Sequence, residues 1–363
     1  MQNPNATPDQ TDTAMPEPDT AVTEPDTAAS NQEVDSHAEN ISPEARQPEE
    51  TLSVAQKMRQ DVGHQAGILW FFEVFTSLFQ LVIGLCFFGF SLNTLDKLGK
   101  SGWVMLFSEI LAVIVVMLWT KRLMIVTGAH HRKLSCAVRF QSRKPMTVFG
   151  FLLCFVLFFA ISEVGEVVGD GILSGVKAMG LQPSTTLTAI DSITNGSLGG
   201  LLFVGVTGPI VEEILFRGIV MDNLEHYGRW FAIVTSATLF GFFHGDIPQG
   251  FSAFLGGLLL GYVASEYSVV WSAVFHIVNN LVFSTGLGKL TDMLSGSQQN
   301  ILDIIMAVFS VVVLVVLAIS QRQHIVEWRE AHRTAPHAYL GWRSPLFVAT
   351  LVLFAIPAVV NLI

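Results

Sequence analysis

A chain of 363 residues that is 51% apolar and only 14% charged lacks the composition of a soluble domain, which carries about a quarter charged residues. The net charge of −10 is a local property: residues 1–50 hold twelve acidic residues against Arg46 alone, which leaves the remainder at +1. The charge therefore belongs to an acidic end and not to the apolar body, and no nucleic-acid partner is expected.

The first 60 residues are rich in Pro, Thr, Ala, Asp and Glu and repeat EPDTA at 17–21 and 24–28. Too few apolar side chains are present to offset chain entropy, so 1–60 is expected to be a disordered acidic tail. It has no basic start followed by an apolar core and is not read as a signal peptide. From residue 66 to 363 apolar runs follow one another, each judged against the ~20 residues that a bilayer demands. They cover 68–92, 103–126, 146–168, 197–221, 230–246, 250–265, 269–288, 300–320 and 345–363. Trp70 near the start of the first is read as an interfacial anchor. Two runs, 230–246 and 250–265, are short and are expected to be tilted or shielded by their neighbours. The fold expected is an all-α polytopic transmembrane bundle of eight or nine spans.

Lysine and arginine collect in the loop at 121–144 (Lys121, Arg122, Arg132, Lys133, Arg139, Arg143, Lys144) and in that at 321–343 (Arg322, Arg329, Arg333, Arg343). Both are expected to be cytoplasmic, the loop at 169–196 to face outward, and the N-terminus to be inside. The protein is thus placed in the cell membrane as a multi-pass protein. Simple alternation then puts Glu212 toward the inner end of its span and His244 toward the outer end of the next. For the two to meet, a span boundary must shift by several residues or the helices must be offset.

Cys86, Cys136 and Cys154 have no paired spacing, so neither a disulfide framework nor a CxxC site is implied. No GxSxG elbow, P-loop or HExxH occurs. Chemistry is instead concentrated in 195–290, where polar side chains interrupt apolar spans. GPIVEEILFRGIV places Glu212, Glu213 and Arg217 at membrane depth; FGFFHGD supplies Phe240 and His244; VFHIVNN supplies His276 and Asn280. An ionised side chain near the centre of a span costs roughly 2.5–3.5 kcal/mol on insertion scales, so the group reads as a site.

Helical spacing says what each residue reaches. Glu213 and Arg217 are four apart and can pair, whereas Glu212 lies about 100° around the helix. The expected division leaves Glu213 neutralised by Arg217 and Glu212 free to face a cavity. The plain alternative is a buried ionic cluster that only fixes helix packing. Phe240 and His244 are one turn apart, as are His276 and Asn280, and the latter pair can present donors to an oxyanion. Asn279 has no assigned task beyond bonding across helices, and Asp246 and Asp222 are read as solvated or capping.

In this order along the chain, each on a different apolar run, EEILFR fits EExxxR, FGFFH fits FxxxH and HIVNN fits HxxxN. The stretch 195–290 resembles the CPBP intramembrane proteases, whose eukaryotic members are the prenyl-protein (CAAX) endopeptidases. The resemblance implies hydrolysis of a peptide bond at or within the membrane, with a peptide or membrane-protein substrate. It assigns Glu212 as general base, His244 as its partner in orienting water, and His276 and Asn280 as holders of the oxyanion. Glu213, Arg217 and Phe240 support them. Members of the family have been described both as metalloproteases and as metal-independent glutamate proteases. A zinc form would use Glu212, His244 and His276 as ligands; the metal-free form is preferred. Two other classes fit buried Glu and His: a proton-coupled transporter, and a non-catalytic membrane binding or immunity protein of the same fold. The sequence assigns no oligomeric state.

Overall fold

A backbone inside a bilayer has no hydrogen-bond partners but its own, and the regular structure is helical throughout the described residues. The computed structural model describes residues 48–90, 100–121, 142–181, 197–287 and 293–360, with Lys97 and Thr291. The acidic tail before residue 48, most of the basic loop at 121–144 and most of the loop at 169–196 lie outside the described residues. So does Cys136.

The helices are α1 (Pro48–Phe88), α2 (Gly102–Trp119), α3 (Val148–Ala178) and α4 (Leu198–Tyr227). They continue as α5 (Arg229–Phe243), α6 (Ile247–Glu266), α7 (Val269–Val278, running on as the wider π-helical stretch Asn279–Leu287), α8 (Gly296–Ser320), α9 (Arg322–Ala331) and α10 (Pro345–Val360). Six of them, α1, α2, α3, α4, α6 and α8, are long and apolar enough to cross a membrane, which makes this a membrane-embedded helical protein. α5, α7 and α10 are shorter apolar helices. The nine apolar runs, expected to give eight or nine spans, thus become six helices of crossing length and three shorter apolar ones among the described residues. Each apolar run does become a helix. What hydropathy does not reveal is where a turn cuts it: Gly228 (φ +110°) and Gly245 (φ +61°) bound α5 at 15 residues. The 250–265 run, expected to be short, extends to 20 residues as α6.

α1 departs from its expected bounds. At 41 residues it is about 60 Å long, roughly twice the hydrocarbon thickness, and residues 48–60, assigned to the tail, belong to it. Trp70 lies mid-helix, where its indole Nε1–H donates to Thr350 Oγ1 of α10 at 2.9 Å. It joins two helices.

Local signals set the helix starts around the site. The side chains of Ser197, Asp246 and Ser268 accept from the amides of Gly200, Gln249 and Trp271, opening α4, α6 and α7. Asp246 is thus a cap, one of the two roles expected for it. α1, α2, α4 and α5 bury one continuous core that includes Leu69, Val113, Phe216, Phe231 and Phe240. α6 is the central crossing, packed on α3 on one side and α5 on the other. α8 leans chiefly on α3, and its apolar side chains are largely exposed, as expected of a helix facing lipid.

Candidate active site

The sequence left Glu212 and His244 at opposite ends of their spans. In the structure α4 continues to Tyr227, six residues beyond its expected end. Glu212 precedes Tyr227 by fifteen residues and His244 follows Arg229 by fifteen. At about 1.5 Å per residue both lie some 22 Å from the α4–α5 turn, at one depth. The correction is one of boundary: polar residues of the last α4 turns hid the helix from a hydropathy reading.

The backbone around the site is unusual. Phe203–Thr207 and Glu213–Met221 of α4, and Asn279–Leu287 after α7, are π-helical. Such stretches are rare and cluster at functional sites. Glu213, Arg217, Asn279 and Asn280 all lie in them.

Glu213 is the most heavily bonded side chain of the group. Its Oε1 accepts from Arg217 Nη1 at 2.9 Å and from His276 Nδ1 at 3.0 Å, and its Oε2 from Ser272 Oγ at 2.6 Å. Glu213, Arg217 and Ser272 are fully buried. The guanidinium also donates through Nη2 to the Gly257 carbonyl at 3.3 Å and lies over the Phe240 ring at 4.4 Å. A buried ion pair survives only when most of its remaining hydrogen-bonding capacity is met; α4, α6 and α7 supply this here and leave only Arg217 Nε of the pair without a partner among the described residues.

The division of labour between the two glutamates is visible in their surroundings. Glu212 keeps 23% of its side chain exposed, and its Oε2 stands 3.6 Å from His276 Nε2. A carboxylate only accepts, so the proton shared with Glu213 belongs to His276 Nδ1, which turns Nε2 toward Glu212. His276 thus bridges a buried, neutralised carboxylate and a half-open one. The 3.6 Å gap is too long for a hydrogen bond.

His244 caps the end of α5, its Nδ1 2.9 Å from the Phe240 carbonyl, so that ring nitrogen donates to the backbone and Nε2 is the one left to act. Phe240 sets both imidazoles: its ring meets His244 edge-on at 4.7 Å and His276 at 5.8 Å. Asn280 Nδ2 donates to the Val204 carbonyl at 2.9 Å in the first π-helical stretch of α4. Asn279 donates to Asn280 Oδ1 and accepts from Ser162 Oγ of α3, each at 3.2 Å, which is the cross-helix bonding expected of it.

The structure therefore brings Glu212, Glu213, Arg217, Phe240 and His276 into one connected group. His244 joins it through Phe240, and Asn280 through its place on α7 and its bond to α4. Ser272 was missed by the sequence reading, although Ser272, His276 and Asn280 recur every four residues on α7. Glu109 of α2 was missed as well: it is close enough to Glu212 to interact with it electrostatically, and nothing in SEIL signals that.

No group of three His, Cys, Asp or Glu side chains is arranged to hold a metal among the described residues. Glu212 and His276 approach each other to 3.6 Å, and His244 Nδ1 is engaged by the Phe240 carbonyl. A two-His, one-carboxylate zinc site would require His244 Nε2 to join Glu212 and His276.

Comparison with curated proteins and with solved structures returns no match. Residues 194–282 match the family model described as type II CAAX prenyl endopeptidase Rce1-like. That interval contains the three motifs and Glu212, Glu213, Arg217, Phe240, His244, His276 and Asn280, so the segment that carries the site is similar to the Rce1-like CAAX prenyl endopeptidases.

Proposed function

We propose that the protein is an intramembrane endopeptidase that hydrolyses a peptide bond with water activated by Glu212. The observation that carries this reading is the pair of unlike glutamates on either side of His276. One is buried and satisfied by Arg217, Ser272 and the imidazole; the other is partly exposed and without a hydrogen bond to a protein group among the described residues. A purely structural ionic cluster has no use for the second.

In this mechanism His244 Nε2 orients the water, and Glu212 takes its proton as the oxygen bonds to the scissile carbonyl carbon. His276, held through Nδ1 by Glu213 and protonated also at Nε2, donates with Asn280 to the oxyanion. Collapse breaks the C–N bond, and the proton on Glu212 passes to the leaving amine. The family match supports a CAAX-type peptide as substrate, presented at the membrane.

The test is cleavage of a quenched fluorescent peptide ending in a farnesylated CAAX box, alongside its unprenylated counterpart, by the full chain in lipid vesicles. Glu212→Gln and His244→Ala should abolish turnover in folded protein. Asn280→Ala should leave measurable activity, lower by about 10²–10³. Near wild-type cleavage by Glu212→Gln removes Glu212 as the base and returns the transporter and binding readings. Reversible loss of wild-type activity on chelation makes the protein a metalloprotease and moves His276 from donor to ligand.

A further inference from the structure

A membrane-embedded hydrolase must bring water to its base through a wall of apolar helices. α2 and α1 carry polar groups that the mechanism above does not use. α2 packs against the start of α4, the segment that ends in Glu212, and α1 packs along α2. Glu109 of α2 has Glu212 of α4 and Glu73 of α1 as its electrostatic neighbours. Thr76 lies one turn from Glu73 on the same face of α1. Two atoms on this line, Glu109 Oε2 and Thr76 Oγ1, are buried and make no hydrogen bond to any protein group among the described residues. Buried polar atoms without protein partners are satisfied by water, where polar neighbours give each water two or more contacts. Three carboxylates and a hydroxyl running from α1 through α2 to α4 supply those contacts. Packing alone does not explain this, since a buried polar atom without a partner costs an apolar bundle free energy.

We propose that Glu109 is a positioning residue for the hydrolytic water: it holds, by hydrogen bond, the water that Glu212 deprotonates, and Glu73 and Thr76 continue a wet path behind it. The proposal rests on Glu212 acting as the base. It assigns Glu109 no contact with substrate, so its loss should lower kcat and leave KM unchanged.

The experiment uses the full chain in vesicles with the same farnesylated peptide and compares Glu109→Leu, Glu109→Gln and Glu212→Gln. Glu109→Leu should lower kcat about 10²-fold, the usual consequence of misplacing a reacting group by an ångström. Its thermal unfolding midpoint should be equal to that of the wild type or higher, because an apolar residue replaces an unpartnered buried carboxyl group. Glu109→Gln keeps a group that hydrogen-bonds to water and should recover most of kcat. Wild-type kcat in Glu109→Leu, with Glu212→Gln inactive, overturns the proposal and leaves the proposed function standing. A fall in midpoint that matches the loss of activity also overturns it, since Glu109 is then structural. Cleavage by Glu212→Gln at the wild-type rate overturns both.

Discussion

At the scale of single residues, the site rests on a contrast between neighbours in sequence. Glu212 and Glu213 have identical chemistry, but Glu213 has three donors and Glu212 has an imidazole just out of hydrogen-bond range. Removing the guanidinium should therefore act on folding before it acts on catalysis. Arg217→Ala leaves a buried carboxylate short of its counter-charge, at a cost of roughly 3–5 kcal/mol. Loss of folded, extractable protein is expected, and a fully folded, fully active variant would show the pairing to be dispensable. Arg217→Lys should not rescue it, because one ammonium cannot reach Glu213 and the Gly257 carbonyl while lying flat on Phe240. Ser272→Ala removes one charge-assisted bond and should cost about 1.5–3 kcal/mol, read as a lower unfolding midpoint. These residues were legible in the sequence to unequal degrees. Arg217 announces itself, since an arginine four residues from a glutamate in an apolar span has few other tasks. Ser272 does not, because a serine in a membrane helix commonly bonds to its own backbone, and only its place one turn before His276 marks it out.

At the scale of elements, glycine decides which helices can touch. Gly165 and Gly169, one turn apart on α3, lie against Ser252 and Pro248 of α6. A Cβ on Gly169 would stand 2.4 Å from the Pro248 Cα, and one on Gly165 would stand 2.7 Å from the Ser252 Cα. Both obstacles are backbone and cannot rotate away. Gly175 on the same helix has nothing within 4 Å. Gly169→Ala should therefore lower the unfolding midpoint, by an overpacking cost of about 1–3 kcal/mol. Gly175→Ala should leave it unchanged or raise it, since Ala is the better helix former by about 1 kcal/mol. Equal midpoints for the two variants would mean that α3 and α6 do not cross there. α6 also supplies the Gly257 carbonyl to Arg217, so the α3–α6 contact bears indirectly on the site. Apolar runs located the apolar helices in advance, because the bilayer leaves the backbone no alternative, whereas α9 lies in the stretch 321–343 that was read as a loop. Their ends were less legible. The polar first turns of α1 and the last turns of α4 continue a helix past its apolar stretch, and hydropathy does not register them. The π-helical stretches had no signal in the hydropathy pattern, which does not distinguish an i→i+5 from an i→i+4 backbone.

At the scale of the whole molecule, the polar end of the bundle fixes which loops share a side. Glu266, the last residue of α6, accepts hydrogen bonds from Lys144, from Arg229 Nη1 at 3.3 Å and from Trp328 Nε1 of α9 at 2.9 Å. Arg143 donates to the Ser265 carbonyl at 3.0 Å, and Arg229 Nε pairs with Glu225 at 3.1 Å. The end of the basic loop at 121–144 and the helix that fills much of 321–343 therefore meet on one network, as the charge pattern of the sequence required of two loops on the same side. α3 leaves this end at Val148 and runs 31 residues, about 46 Å, which carries Gly180 to the opposite end. Reporter fusions at residues 133 and 330 should consequently give the same answer and a fusion at 180 the other. The excess of Lys and Arg makes the cytoplasm the expected side for the first two. Agreement between 133 and 180 would break the link between α3 and a full crossing. If 133 and 330 instead report opposite sides, the Glu266 network cannot exist as described. Breaking that network without moving a helix gives a sharper check. Glu266→Gln removes the charge that holds Lys144 and Arg229 while keeping an acceptor for Trp328. It should loosen the ends of α3 and α9 to proteolysis at 142–147 and 321–337 and leave cleavage by the site almost unchanged, because Glu212 lies some 22 Å away along α4.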